Sequence, residues 1–121
     1  MPSQVAGQHL GLRAVEVISG AGVFESAGGK PQYMEQLKTG DLSFGTYSLP
    51  AGTKDAQSPH TEDEIYFIVS GQATFWTPAH TVPVGPGSAV FVPAHEPHRF
   101  TDIAEDLTAL VFFGPAEGSR A

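Results

Sequence analysis

Apolar residues recur along the chain in short runs that are bounded by turn residues. Most of these runs are rich in Val, Ile, Phe, Tyr or Thr, which suit the pleated and half-buried surface of a strand. The predicted strands cover residues 14–18, 32–37, 41–49, 64–70, 73–77, 88–92, 98–101 and 107–113. Tight turns are indicated by Gly71 and by the stretch VGPGS at residues 84–88. About eight short strands at this spacing predict an all-β fold, which would be a sandwich, a jelly roll or a barrel.

The length of the chain and its two ends define one predicted domain. The 121 residues are enough for a single hydrophobic core and too few for two. Residues 1–12 and 115–121 are mostly small and polar. We therefore expect an N-terminal tail at residues 1–12, a barrel at residues 13–114 and a C-terminal tail at residues 115–121.

Composition excludes several kinds of partner and of metal site. The net charge of -7 gives no general attraction to nucleic acid or to an anionic membrane surface. The sequence has no cysteine, so a bound metal would need histidine, carboxylate or water as ligands. No stretch has the pattern of a signal peptide, and none approaches the roughly 20 apolar residues of a membrane span. A cytoplasmic protein is expected.

Polar residues at a spacing of two lead into the predicted strand at residues 64–70. The period of an extended chain places these side chains on one face of the sheet. They are Ser58, His60, Glu62 and Glu64. The next five residues are all apolar or aromatic, so we expect this strand to be buried on both faces and Glu64 to begin inside the protein. A buried carboxylate is costly unless a cation or hydrogen-bond donors compensate its charge.

A second polar position opens the predicted strand at His98. If the two segments are neighbours in a barrel, His60, Glu64 and His98 converge. Two imidazoles and one carboxylate suit a divalent transition metal such as Mn, Fe, Ni, Cu, Co or Zn. The residues alone also allow a purely structural interpretation, in which His60 and Glu64 belong to an acidic turn and His98 is a hydrogen-bonded strand residue.

The first segment resembles one of the two sequence motifs of the cupin family. The positions in register with that motif are Gly52, His60, Glu64 and Gly71. Ser58 stands where the family usually has its first histidine.

The second segment resembles the other cupin motif, and together the two cover residues 52–102. The positions that match are Gly87, Pro93 and His98. Asp102 replaces the asparagine of the family, and His95 replaces a glycine, in a corner where a positive φ is expected. The resemblance implies a double-stranded β-helix, or jelly-roll barrel, with a metal ion bound inside it.

The resemblance also implies which residues bind the metal and line the pocket. His60, Glu64 and His98 are the implied ligands of one divalent transition metal ion. Because Ser58 is a poor ligand, water, Glu62 or Gln57 is expected at the fourth position. Glu62 is otherwise interpreted as a solvated charge of the turn. The aromatic residues expected in the pocket are Tyr47, Tyr66 and Phe100.

Two functional hypotheses follow from the resemblance. The first is a metal-dependent enzyme of the dioxygenase, decarboxylase or isomerase type that acts on a small organic acid, sugar or aromatic substrate. A dioxygenase would be an oxidoreductase. Three protein ligands leave room for a bidentate substrate, which favours this hypothesis. The alternative is a non-catalytic cupin that binds a small molecule or a metal. The resemblance further implies a homodimer, with residues 14–18 as the edge strand that is added or exchanged.

Overall fold

The computed structural model describes residues 14–121, so the predicted tail at residues 1–12 and the first residue of the predicted barrel lie outside the described residues. The strands in chain order are β1 (Gln32–Lys38), β2 (Ser43–Leu49), β3 (Asp63–Ser70), β4 (Ala73–Trp76), β5 (Thr81–Val84), β6 (Ala89–Val92), β7 (Arg99–Thr101) and β8 (Leu107–Gly114). Residues 14–121 contain one helical element, the short 3-10 helix Ala27–Gly29, and no helix long and apolar enough to cross a membrane.

The strands form two antiparallel sheets. The larger sheet has the order β1-β2-β8-β3-β6, and the smaller sheet has the order β5-β4-β7. Their inner faces pack against each other, as shown by the rings of Tyr66 on β3 and Phe75 on β4, whose centroids are 5.7 Å apart. The all-β prediction is therefore confirmed.

The long central strands point alternate side chains into the core. The inward residues of β3 and β8 are all buried, and they are Glu64, Tyr66, Ile68, Leu107, Ala109, Val111 and Phe113. On the outer face of β3, Ile65 is 43% exposed, Phe67 39% and Val69 38%. The prediction that this strand is buried on both faces is wrong for the described chain, because the smaller sheet covers only the inner face.

Two strand predictions differ from the structure. Residues 14–18 form no strand, and Val15 and Val17 point into solvent with 94% and 88% of their surface exposed. Strand β5 was not predicted, because Pro83 interrupts its sequence. The structure places β5 at an edge of the smaller sheet, which is where a sheet tolerates proline.

The C-terminal segment at residues 115–121 packs on the barrel. Ala116 is buried, and the backbone N–H of Glu117 donates to Ser43 Oγ over 2.9 Å. The backbone N–H groups of Gly118 and Arg120 donate to the carboxylate of Glu62. A segment expected as a tail therefore contacts the strand and loop that border the candidate site.

Candidate metal centre

The three predicted ligands come from β3 and from the ends of the segments beside it. His60 lies in the loop before β3, Glu64 is the second residue of β3, and His98 immediately precedes β7. The backbone N–H of His95 donates to the carbonyl of His60 over 2.7 Å and so ties the two motif segments together. His95 has a φ of 70°, the positive value expected at this corner.

The side chains of His60, Glu64 and His98 meet at one carboxylate oxygen. Oε1 of Glu64 lies 3.1 Å from Nε2 of His98 and 3.9 Å from Nε2 of His60. One candidate ligand atom from each of the three residues lies within 4.8 Å of the others. Glu64 and His98 are buried and His60 is half-buried. The structure thus brings together the three residues that were predicted as metal ligands.

Hydrogen bonding determines the tautomer of His98. Its Nδ1 lies 2.8 Å from the carbonyl oxygen of Glu96, and a carbonyl can only accept, so Nδ1 carries a proton. In the neutral ring, Nε2 then presents a lone pair toward Glu64. Burial lowers the pKa of His98, but the Glu64 carboxylate, the Glu96 carbonyl and the charge of Asp55 outweigh it and raise the pKa above its usual value.

The surroundings of the Glu64 carboxylate indicate whether the three-residue cluster fits a metal ion. Its Oε1 is buried and accepts no hydrogen bond when the His98 ring is neutral, because Nε2 of that ring, 3.1 Å away, then carries no proton. A carboxylate oxygen that faces an imidazole lone pair is in an unfavourable arrangement unless a proton or a metal cation lies between them. Two imidazole nitrogens and one carboxylate form a donor set that divalent transition metals prefer. The residues present therefore fit a metal ion.

Asp55 accepts hydrogen bonds from several residues around the site, and it is not among the predicted site residues. It is buried, and its carboxylate accepts hydrogen bonds from the hydroxyl of Tyr47, from Nε2 of Gln57 over 2.5 Å and from the N–H of Phe100 over 2.8 Å. Burial, followed by the charge of Asp55, raises the pKa of Tyr47. Because a carboxylate only accepts, the amide of Gln57 must turn its nitrogen to Asp55 and its oxygen the other way.

Tyr66 places a hydroxyl group at the edge of the three-residue cluster. The hydroxyl lies 3.0 Å from Oε1 of Gln57 and 3.1 Å from Nε2 of His98. Its single proton can satisfy only one of these two acceptors. Burial, followed by the charge of Glu64, raises the pKa of Tyr66 well above its usual value, so the phenol keeps its proton at neutral pH.

The residues proposed for the fourth ligand position lie in three different places. Ser58 is exposed at the mouth of the pocket, and Gln57 is held between Asp55 and Tyr66. Glu62 is neither solvated nor part of the cluster, since it is buried and its oxygens accept from Thr61 and from two backbone N–H groups of the C-terminal segment. Burial raises the pKa of Glu62, but these hydrogen bonds outweigh it and lower the pKa below its usual value.

A cavity of about 250 Å³ opens from the cluster toward solvent. Tyr47 and Tyr66 line it as predicted, and the lining also includes Tyr33 and Glu117, which are not among the predicted site residues. Phe100 does not line it. This residue is buried in the core behind Tyr66, with the two ring centroids 5.0 Å apart. No lysine or arginine of residues 14–121 lines the cavity.

Comparison with known protein families and sequences identifies relatives. The model of the cupin domain family matches residues 45–113. An uncharacterized protein of Streptomyces coelicolor, SCO3923, is 45% identical over 93 residues, which are 77% of this chain and 89% of that protein. Dimethylsulfoniopropionate lyase DddQ of Ruegeria pomeroyi is 36% identical over 66 residues, which are 54% of this chain and 33% of the lyase.

Solved structures share the fold. The crystal structure of DddQ from Ruegeria pomeroyi superimposes with a TM-score of 0.65 and 27% identity over 70% of this chain and 47% of the lyase chain. A cupin with a double-stranded β-helix from Methanocaldococcus jannaschii gives a TM-score of 0.69 with 16% identity over 85% of this chain and 93% of its own. In the crystal structure of DddQ, this chain spans about half of the lyase chain. The fold of this chain is the double-stranded β-helix that the motifs implied.

Proposed function

Since the chain belongs to the cupin family, we propose that it is a metal-dependent enzyme that moves a proton on a small organic acid, as in a lyase or an isomerase. The observation that carries the proposal is the hydroxyl of Tyr66, a proton-bearing group 3.1 Å from Nε2 of His98 at the edge of the cluster. Dioxygenase activity and binding without catalysis are the competing outcomes of the test below.

His60, Glu64 and His98 are the residues that would hold the metal. When bound, a divalent transition metal supplies Lewis-acid chemistry at a substrate oxygen. The chain supports this with Nδ1 of His98, which is fixed on the Glu96 carbonyl and so keeps Nε2 turned toward Glu64. Such a partner for the second imidazole nitrogen orients the ring and favours ligation.

Tyr66 is proposed as the residue that donates a proton to the substrate, while water that enters the open cavity accepts the proton that leaves it. Its raised pKa keeps the proton on the phenolic oxygen at neutral pH, which suits a general acid that protonates a substrate atom. Gln57 accepts at 3.0 Å and limits the directions in which the hydroxyl can point. Asp55 fixes Gln57 in turn, so a buried carboxylate supports the proposed acid through two hydrogen bonds.

The lining of the cavity supports a small acid that also carries a neutral or cationic group. The ionised side chains at the cavity are carboxylates, and no lysine or arginine of the described residues is present to pair with a substrate carboxylate. A bound metal would have to provide that positive charge. The rings of Tyr33 and Tyr47, together with Glu117, would then face the rest of the substrate and favour a cationic group. The substrate in the name of DddQ is an acid of this kind, so onium-substituted propionates are the first compounds to test.

The experiment follows proton exchange and turnover of candidate acids in D₂O by NMR, using protein loaded separately with Zn²⁺, Mn²⁺ and Fe²⁺. We expect deuterium incorporation or elimination with wild-type protein, and a loss of about 100-fold or more in Tyr66→Phe with metal content unchanged. Tyr33→Phe is the matched control, because it removes a hydroxyl from the same cavity. Metal content should fall in the double variant His60→Ala/His98→Ala.

Three results would contradict the proposal. Binding of acids without exchange or turnover would indicate a binding module. Oxygen consumption that depends on the acid would indicate a dioxygenase. Equal exchange in wild-type protein and Tyr66→Phe would remove Tyr66 from the proton transfer.

A further inference from the structure

We propose that Glu117, held in place by Glu62, is a positioning residue for His60. The carboxylate of Glu117 accepts a hydrogen bond from Nδ1–H of His60, which keeps the proton on Nδ1 and leaves the lone pair of Nε2 free for the metal. The inference rests on the metal centre proposed above, and it concerns a segment with no place in the family motifs that the sequence carries.

The C-terminal segment is fixed by buried groups. Glu62 is 1% exposed, and its two carboxylate oxygens accept from the N–H of Gly118 over 2.8 Å and from the N–H of Arg120 over 2.9 Å. Ser43, which is fully buried, accepts from the N–H of Glu117 over 2.9 Å. The backbone on both sides of the Glu117 side chain is therefore anchored to the barrel.

This anchoring places the Glu117 carboxylate beside His60. Oε2 of Glu117 lies 3.5 Å from Nδ1 of His60, while Nε2 on the other side of the ring lies 3.9 Å from Oε1 of Glu64. The first distance exceeds the usual N–H···O range of about 2.7–3.2 Å by a few tenths of an ångström, so the proposed hydrogen bond requires the two side chains to approach by that amount. The ring is packed edge to face against Phe113, with centroids 4.9 Å apart, so its plane is restricted.

His60 and His98 then have matching environments. Each has an acceptor at Nδ1, the Glu96 carbonyl for His98 and the Glu117 carboxylate for His60. Each has Nε2 on the side of Glu64 Oε1. A histidine that ligates a metal generally donates its other N–H to a carbonyl or a carboxylate, which fixes the tautomer and strengthens the ligand. Glu117 supplies this acceptor to the more exposed of the two histidines.

The first test measures the affinity for Zn²⁺ by competition with a chromophoric chelator. Glu117→Ala should weaken binding about 10- to 100-fold. Glu117→Gln retains an acceptor oxygen and should stay within about 3-fold of wild type. Glu105→Ala removes the same charge from an exposed loop away from the cluster and should leave the affinity unchanged. A loss as large in Glu117→Gln as in Glu117→Ala would mean that the carboxylate acts as a ligand or through its charge, and would overturn the inference.

The second test asks whether Glu62 acts through Glu117. Glu62→Gln loses one acceptor for the backbone of the C-terminal segment and should weaken Zn²⁺ binding in the wild-type background. In the Glu117→Ala background the same change should have no further effect on affinity. Equal effects in both backgrounds would show that Glu62 does not act by placing Glu117.

The third test reads the tautomer of His60 directly in metal-free protein, by long-range ¹H–¹⁵N NMR of the imidazole. We expect the proton on Nδ1 in wild type and Glu117→Gln, and a shift toward Nε2 in Glu117→Ala. An unchanged tautomer in Glu117→Ala would overturn the inference alone. Wild-type protein that binds no Zn²⁺ would overturn both the metal centre and the inference, so the two failures are distinguishable.

Discussion

Nε2 of His98 faces the carboxylate of Glu64. This nitrogen can bind a metal only when it carries no proton, so the metal affinity of the centre should depend on pH. A protonated imidazole cannot ligate, so protons compete with the metal. The pKa of His98 is raised, so this competition should begin above the usual histidine value of about 6.5 as the pH falls. Zn²⁺ affinity measured from pH 8.5 to pH 5 should therefore decline with falling pH. An affinity that stays constant to pH 5 would indicate a site made of carboxylates instead.

Asp55 is the residue whose loss should disturb the pocket most. Asp55→Asn replaces one acceptor oxygen with an amide that faces donors from Tyr47, Gln57 and Phe100. Hydrogen bonds to a buried charged group are each worth about 1.5–3 kcal/mol, so we expect the free energy of unfolding to fall by about 2–3 kcal/mol in urea denaturation. Asp102→Asn is the control. Asp102 is exposed with a φ of 48°, a conformation that asparagine also adopts, so its loss should be under about 0.5 kcal/mol.

The residues of the site differ in how far the sequence could predict them. His60, Glu64 and His98 were predicted because extended-chain periodicity and two family motifs both select them, and the structure brings their side chains together. Asp55 carries no such pattern, since it lies in a loop, and one of the donors to its carboxylate, the N–H of Phe100, is 45 residues away in sequence. Glu117 lies in a segment without hydrophobic periodicity, and the tertiary contacts of this segment with Glu62 and Ser43 place it beside His60.

At the scale of single elements, the turn between β3 and β4 depends on a glycine. Gly71 has a φ of 97°, and a Cβ there would meet the backbone of Asp106 and Leu107. Gly71→Ala should therefore lower the free energy of unfolding by about 3 kcal/mol, from backbone strain of about 1–2 kcal/mol together with overpacking. Gly87 has a φ of 90° but open space around its Cβ position, so Gly87→Ala should show only the strain. Equal losses in the two variants would show that the backbone contact at Gly71 is unimportant.

Strand positions were largely predictable, whereas strand pairing was not. Seven of the strands lie within about two residues of the predicted runs, because turn residues bound each run sharply. The run at residues 14–18 has strand-like alternation but belongs to neither sheet, which periodicity alone cannot reveal. The placement of β8 between β2 and β3 is a non-local pairing that no local pattern encodes.

At the scale of the whole molecule, the outer face of the larger sheet carries a row of apolar side chains across four strands. Phe112 of β8 is the register partner of Phe44 on β2 and of Ile65 on β3. Ile65 is in turn the register partner of Phe91 on β6. Phe91 is 61% exposed, and the rings of Phe44 and Phe112 stack with centroids 5.0 Å apart. A continuous apolar row of this kind is typical of a surface that another protein covers.

The partner expected for this row is a second copy of the chain, paired through the same face. An apolar row can pair with itself around a twofold axis, and a stable interface needs about 800 Å² from each partner. Light scattering after size exclusion should show a dimer for wild type and a monomer for Phe91→Lys. Val82→Lys changes an exposed residue of the smaller sheet and should remain dimeric. A monomeric wild-type protein at tens of micromolar would contradict the homodimer.

The sign of the charge around the cavity imposes an order on binding. Glu64 and Glu117 line it, and no lysine or arginine of residues 14–121 accompanies them. If the protein binds a metal and an organic acid as proposed, the acid would enter a field of its own sign until the cation is in place, so we expect the metal to bind first and the acid to leave first. Because coupling between two sites is reciprocal, an acid that binds the metal-loaded protein more tightly than the metal-free protein must raise the affinity for the metal by the same factor. A saturating acid should therefore protect the protein from chelators.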